Sequence, residues 1–215
     1  MFEIFHHLFP PNQANFIWMF DHYGMYVYAI LFLIIFIETG LVIMPFLPGD
    51  SLLFTAGLMA KLGFMDITTL ILLLFVAAVI GDNVNYFIGK TIGLRILQFK
   101  IRERSLVKQE YLEKTHAFYE KHGAKAIIMA RFVPIVRTFA PFVAGIAEMK
   151  YRTFLLFDLL GGALWIGSLT SLGYALGHIV WIQNNIEKVA IGIIILSVLP
   201  MLIGFLSNKK APKEI

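Results

Sequence analysis

Apolar residues run along this chain in five blocks that differ in how they are interrupted. Residues 67–89, 153–177 and 186–206 are each long enough to cross a hydrocarbon core, which takes about 20 helical residues. Residues 23–60 carry Pro45, Pro48, Gly49 and Asp50 near their middle, and residues 126–147 carry Pro134 and Pro141 around Arg137. Proline lacks the backbone donor and clashes with the preceding turn, so a helix is predicted to break at each of these places. Broken helices at membrane depth persist only where the freed backbone groups are buried in protein or line a wet cavity. Both interrupted blocks therefore read as re-entrant hairpins. The pattern predicts an all-α polytopic membrane protein with three spans and two hairpins.

The interrupted blocks also hold the informative charges. Glu38 and Asp50 are the only charged residues in Tyr23–Ala60, and Arg131 and Arg137 are the only ones in Ala126–Ala147. An Arg or Asp at mid-bilayer costs about 2.5–3.5 kcal/mol on insertion scales, which a purely structural segment avoids by using Leu or Ala. These four are the first candidates for function.

An internal repeat, about residues 20–90 and 119–178 of one membrane domain, organises the blocks. Phe20-Asp21-His22-Tyr23-Gly24 precedes the first hairpin and Tyr119-Glu120-Lys121-His122-Gly123 the second. Each hairpin runs through a proline break to an Ala-Gly pair, Ala56-Gly57 and Ala144-Gly145. The spans that follow end in Asn85-Tyr86-Phe87-Ile88-Gly89-Lys90 and Gly173-Tyr174-Ala175-Leu176-Gly177-His178.

Charge sets the orientation. No Lys or Arg precedes Lys61, nine fall between Lys90 and Lys125, and Lys209, Lys210 and Lys213 lie in the tail. By the positive-inside rule, residues 90–125 and the C-terminus face the cytoplasm. If 67–89 crosses toward that side and 153–177 crosses away, the copies are inverted, the hairpins enter from opposite faces and the N-terminus lies outside. Inverted repeats with discontinuous helices meeting near the midplane are a recurring transporter plan. An alternative makes 23–40 a full span and puts the N-terminus in the cytoplasm. The basic segment, with Tyr111, His116, Phe118 and Tyr119 among its charges, reads as a helix on the cytoplasmic surface that attracts anionic lipid headgroups. Acids interleave with its bases, which argues against nucleic-acid binding.

Composition fits this class: 59% of the 215 residues are hydrophobic and 15% charged. Cysteine is absent, which excludes disulfides, thiolate nucleophiles and Cys-ligated metals. The N-terminal MFEIFHHLFPP has no Lys or Arg and no small-residue cleavage pattern, so it does not read as a signal peptide.

Four motifs carry a resemblance: Phe36-Ile37-Glu38-Thr39-Gly40, Pro45-Phe46-Leu47-Pro48-Gly49-Asp50, Gly81-Asp82-Asn83-Val84-Asn85-Tyr86 and the arginine–proline run from Arg131 to Gly145. With them the chain resembles the DedA family of bacterial inner-membrane proteins over nearly its whole length. The resemblance implies a multi-pass protein of the cytoplasmic membrane, related to lipid scramblases of the VTT-domain group. It implies lipid translocation, including return of undecaprenyl phosphate and flipping of phosphatidylethanolamine, with a link to the proton motive force. The family's functional residues match here at Glu38, Asp50, Arg131 and Arg137.

Arginine presents planar donors suited to two phosphate oxygens and stays protonated when buried, whereas a carboxylate exchanges protons. In a dry site each arginine needs an anion, so Glu38 and Asp50 are the expected partners of Arg131 and Arg137. A lipid phosphate competing for the same donors would let the displaced acid take up a proton. The residues alone leave open a proton-coupled flippase, a passive scramblase and a proton or ion channel; salt bridges that merely lock the hairpins are the structural alternative. A lipid phosphatase lacks support, since Thr138 is the sole hydroxyl beside the arginines and no nucleophile or metal constellation accompanies them. No metal or cofactor is expected; homo-oligomerisation is left open.

Pro45, Pro48, Gly49, Asp82, Pro134, Thr138 and Pro141 are read as supporting residues. Asp82 is expected either to contact an arginine or proton path, or to bond Asn83 and Asn85 locally. Asp158 is expected to pair with a neighbouring helix or to snorkel. Trp165, Trp181 and Tyr174 read as interfacial or packing aromatics, and Gly161-Gly162 and Gly167 as points of close helix contact. His116 and His122, six apart, do not share a helix face and read as solvated.

Overall fold

The computed structural model describes residues 18, 22–41, 49–93, 100–101, 104–105, 125–186, 188–193 and 195. Pro45, Pro48, His116, His122, most of the basic segment and the C-terminal tail lie outside the described residues. Seven α-helices are named here: α1 Tyr26–Gly40, α2 Gly49–Lys61, α3 Ile67–Ile88, α4 Lys125–Ala130, α5 Pro134–Ile146, α6 Tyr151–Leu176 and α7 Val180–Asn184. Further helical turns follow α7 within residues 186–195, so only the start of the expected 186–206 span is described.

α3 and α6, 22 and 26 residues long, measure about 33 and 39 Å at 1.5 Å per residue, enough to cross a membrane. Their faces are arranged for lipid. On α3 the buried positions are Leu70, Leu74, Ala77, Ala78, Gly81, Asp82, Asn85 and Tyr86, one stripe at helical period. Leu72, Val76, Ile80, Val84 and Phe87 point outward and are exposed. α6 repeats the plan, burying Phe154, Asp158, Gly161, Gly162, Trp165, Ile166, Thr170 and Gly173 while Leu156, Leu160, Leu164 and Leu172 face out. An apolar outer face over an inner stripe that includes carboxylates is the reverse of a soluble helix. It fits a hydrocarbon solvent.

α2 and α5 have 13 residues each, about 20 Å, too short to cross. Both end in a Schellman cap. After α2, Phe64 N–H donates to Met59 O and Gly63 N–H to Ala60 O, with Gly63 at φ +90°. After α5, Met149 N–H donates to Ala144 O and Glu148 N–H to Gly145 O, and Glu148 takes the left-handed position at φ 51°. Each short helix then turns into a long one, and Asp66 caps α3 by accepting from Thr69 N–H at 2.7 Å.

The pairs exchange partners: α2 packs chiefly along α6, and α5 along α3. Glycines let backbones touch there. A methyl on Gly57 would overlap Thr170 O, and one on Gly173 would overlap Phe54 O. In the other pair, Gly145 and Gly89 meet Tyr86 O and Phe142 O in the same way. α2 is almost wholly enclosed, with every residue from Ser51 to Ala60 buried.

Two expectations are corrected. Pro134 opens α5, but Pro141 lies inside it and the helix continues through. The described part of the basic segment is a π-turn at Gly89–Gly93 and an antiparallel pair, Lys100–Ile101 with Arg104–Ser105; the expected surface helix around Tyr111 to Tyr119 lies outside the described residues. Gly161 does meet a neighbour, packing on Ile128 and Arg131 of the segment before it, but Gly167 faces open space.

Candidate functional site

Arg137, on the first turn of α5, is 3% exposed and forms two ion pairs. Its Nη2 donates to Glu38 Oε1 at 2.5 Å and its Nη1 to Asp50 Oδ1 at 2.6 Å. Glu38 comes from the last turn of α1 and Asp50 from the first turn of α2, so one guanidinium joins both arms of the first interrupted block to the second. Trp165 of α6 closes the group: its Nε1–H donates to Asp50 Oδ1 at 2.8 Å, and the Arg137 Cζ lies 4.2 Å above its ring. Gly49 packs so closely on the Glu38 carboxylate that a methyl there would overlap it.

The cluster lies where α2 and α5 both begin. Helix N-termini present free N–H groups and positive potential, which favours anions. Asp50, at 14% exposed, is the most open of the three charged residues, against 1% for Glu38.

Backbone geometry there is held by Asn85. Its Nδ2 donates to Thr39 O at 3.1 Å and to Thr138 O at 2.7 Å, the residues after Glu38 and Arg137. Thr39 is among the last carbonyls of α1, which have no intrahelical donor. Thr138 lies in the turn that Pro141 loosens by lacking an N–H. One buried carboxamide thus ties together the two broken segments that carry the ion pair. Thr138 is itself buried beside Arg137.

Arg131, in the break between α4 and α5, has other partners. Its Nη2 donates to both Asp82 of α3 and Asp158 of α6. The four charges expected to meet as one group are therefore divided: Glu38 and Asp50 serve Arg137, and Arg131 takes two aspartates from the spans. The cause is register. Asp82 and Asp158 fall on the buried stripes that flank the α4–α5 break, and Gly161 leaves room for the Arg131 stem.

Asp82 thus bonds Arg131 and not its neighbours; Asn83 instead accepts from Tyr151 OH at 2.8 Å, and Asn85 bonds as above. Asp158 pairs across helices and does not snorkel. Trp165 is part of the Arg137 cluster and not an interfacial aromatic. Its signal in the sequence is spacing, since Asp158, Gly161 and Trp165 lie 4, 7 and 11 residues along the stripe that begins at Phe154. Among the described residues, no group of three or more His, Cys, Asp or Glu is placed to hold a metal ion.

The VTT domain profile matches residues 47–175, which includes both clusters except Glu38. The chain is 50% identical over 191 residues to Protein DedA of Escherichia coli strain K12, covering 88% of this chain and 86% of that protein. The chain belongs to the DedA family. This DedA-family chain is also 43% identical over 212 residues to an uncharacterised membrane protein of Mycobacterium leprae, covering 95% of this chain and 94% of the relative. It is 40% identical over 152 residues to inner membrane protein YqjA of Escherichia coli strain K12, covering 70% and 68%. No solved structure matches the chain. Family and geometry together make it a helical membrane protein.

Proposed function

We propose that this protein carries a phosphate-bearing lipid between the leaflets of a bacterial cytoplasmic membrane, with Arg137 as the phosphate-binding group and Glu38 and Asp50 as its proton-exchanging competitors. The observation that carries this reading is the Arg137 cluster itself: one buried guanidinium shared by two carboxylates at the joint N-termini of two short helices. A phosphate monoester or diester offers the same two oxygens in the same fork, and both N-termini favour it. When it takes the guanidinium, a carboxylate left buried without its cation binds a proton, so lipid binding and protonation favour one another. Undecaprenyl phosphate and phosphatidylethanolamine are the lipid types that fit the resemblance to the DedA family. The reading is of a carrier and not an enzyme, because the cluster binds oxygens and offers no nucleophile.

The two interrupted blocks are read as re-entrant hairpins of an inverted repeat. Support comes from two 13-residue helices with the same cap, each feeding a long helix and packing on the long helix of the other half. At 15 residues, α1 is short for a span. We orient the chain with residues 90–125 and the C-terminus in the cytoplasm and the N-terminus outside.

Purified protein in liposomes with labelled undecaprenyl phosphate or phosphatidylethanolamine tests the proposal. Wild type moves at least one of them, and Arg137→Ala and Glu38→Ala, shown folded by chromatography, do not. Movement of every lipid by both variants at the wild-type rate contradicts the assignment. Movement by wild type that ignores a pH gradient makes the protein a passive scramblase, and ion conductance without lipid movement makes it a channel.

A further inference from the structure

The Arg131 and Arg137 clusters have the same formal charge, one guanidinium against two carboxylates, but they differ in donors. Around Arg137, Trp165 Nε1–H reaches Asp50 and the α2 N-terminus adds positive potential, which leaves one carboxylate oxygen, Glu38 Oε2, buried without a partner. Among the described residues, no indole or backbone donor is seen to reach the Arg131 carboxylates. Asp82 and Asp158 are 1% and 0% exposed, they share the same guanidinium nitrogen, and each keeps one buried oxygen with no partner. Arg131 Nε and Nη1 are also buried without a partner, so the guanidinium does not reach around to those oxygens. Both carboxylates meet at one nitrogen, Arg131 Nη2, which brings the two carboxyl groups together.

A buried net negative charge with idle acceptors is costly, and two carboxyls in contact do not both ionise in such a place. We propose that Asp82 and Asp158 hold one proton between them, which makes the Arg131 cluster an electrically neutral proton-binding site separate from the Arg137 cluster. The shared O–H supplies the donor that the cluster lacks, and the remaining carboxylate balances Arg131. The facing charges are Arg131 from the α4–α5 break and, within Coulombic range of Asp82, Arg137 from α5; Glu38 and Asp50 are engaged by Arg137. The site joins α3, α6 and the second break, so gain or loss of its proton changes the charge at the point where those three meet. This inference goes beyond lipid transport and does not require it.

Infrared difference spectroscopy of the purified full-length protein in lipid nanodiscs at neutral pH, in water and in heavy water, reads the proton directly. The expected result is a deuteration-sensitive carboxylic-acid carbonyl component that survives in Glu38→Gln and is missing from Asp82→Asn and from Asp158→Asn. Asparagine is neutral and nearly isosteric with the acid, so each single variant leaves Arg131 one balancing carboxylate. The proposal is overturned if no component survives in Glu38→Gln, or if the surviving component persists in either folded aspartate variant. Should neither aspartate variant fold, the Glu38→Gln/Asp50→Asn spectrum decides: a retained component supports the shared proton and its loss refutes it. Because the protein is at rest and no lipid is moved, failure here leaves the liposome result intact, and the converse holds as well.

Discussion

Asn85 shows how the site depends on a residue that carries no charge. Its carboxamide meets the backbone of both segments one residue past the ion pair, so it fixes the distance between Glu38 and Arg137 without touching either side chain. Asn85→Leu takes the donor from the buried Thr39 carbonyl at the end of α1, an orphan costing about 1–3 kcal/mol. The expected outcome is a lower thermal midpoint in detergent and slower lipid movement, with Asn85→Ser recovering part of both. At this scale the sequence was legible where charge interrupts apolar runs: Glu38, Asp50, Arg131 and Arg137 stand out because hydrocarbon penalises them. Asn85 and Trp165 were not, because an amide or indole in a membrane segment has several ordinary uses. The partition of partners was also hidden, since sign alone does not say which aspartate a guanidinium reaches.

Among the elements, the joints between short and long helices set stability. Gly57→Leu forces α2 off Thr170 of α6, where backbone meets backbone, and overpacking of that kind costs typically about 1–3 kcal/mol. Gly167→Ala, in the same long helix but facing open space, is expected to be neutral or to stabilise by up to about 1 kcal/mol. Thermal unfolding of the two variants side by side checks the contrast. The α3 cap gives a pH prediction. Thr69 N–H holds the exposed Asp66 carboxyl below its ordinary value of 3.8, so its stabilisation is complete above that value and is lost as pH falls through the lower folded one. Asp66→Ala should therefore lower the thermal midpoint at neutral pH and remove part of its decline in acid. The spans that became α3 and α6, and the break before Pro134, were readable from apolar length and proline position. Pro141 was misread because a fixed φ near −65° is compatible with a helix once neighbouring carbonyls find other donors, as Thr138 does in Asn85.

For the whole molecule, the exchange of partners between halves matters most. α2 leans on α6 and α5 on α3, and the Arg137 cluster sits where their N-termini converge, so motion of either half shifts the balance between guanidinium and carboxylates. The sequence showed ordered matches between its two interrupted blocks, but not their cross-packing, because glycine spacing marks a close contact without naming the partner. The central claim is that lipid phosphate and carboxylate compete for Arg137, and its most direct test is proton uptake on binding. In weakly buffered detergent solution, a short-chain lipid phosphate is added to purified wild-type protein while the pH is followed. Wild type is predicted to take up protons in step with saturation, Glu38→Gln to bind with reduced uptake, and Arg137→Ala to bind at least tenfold more weakly, a loss of about 1.4 kcal/mol or more. Binding by wild type with no change in proton content, or undiminished binding by Arg137→Ala, would contradict the account.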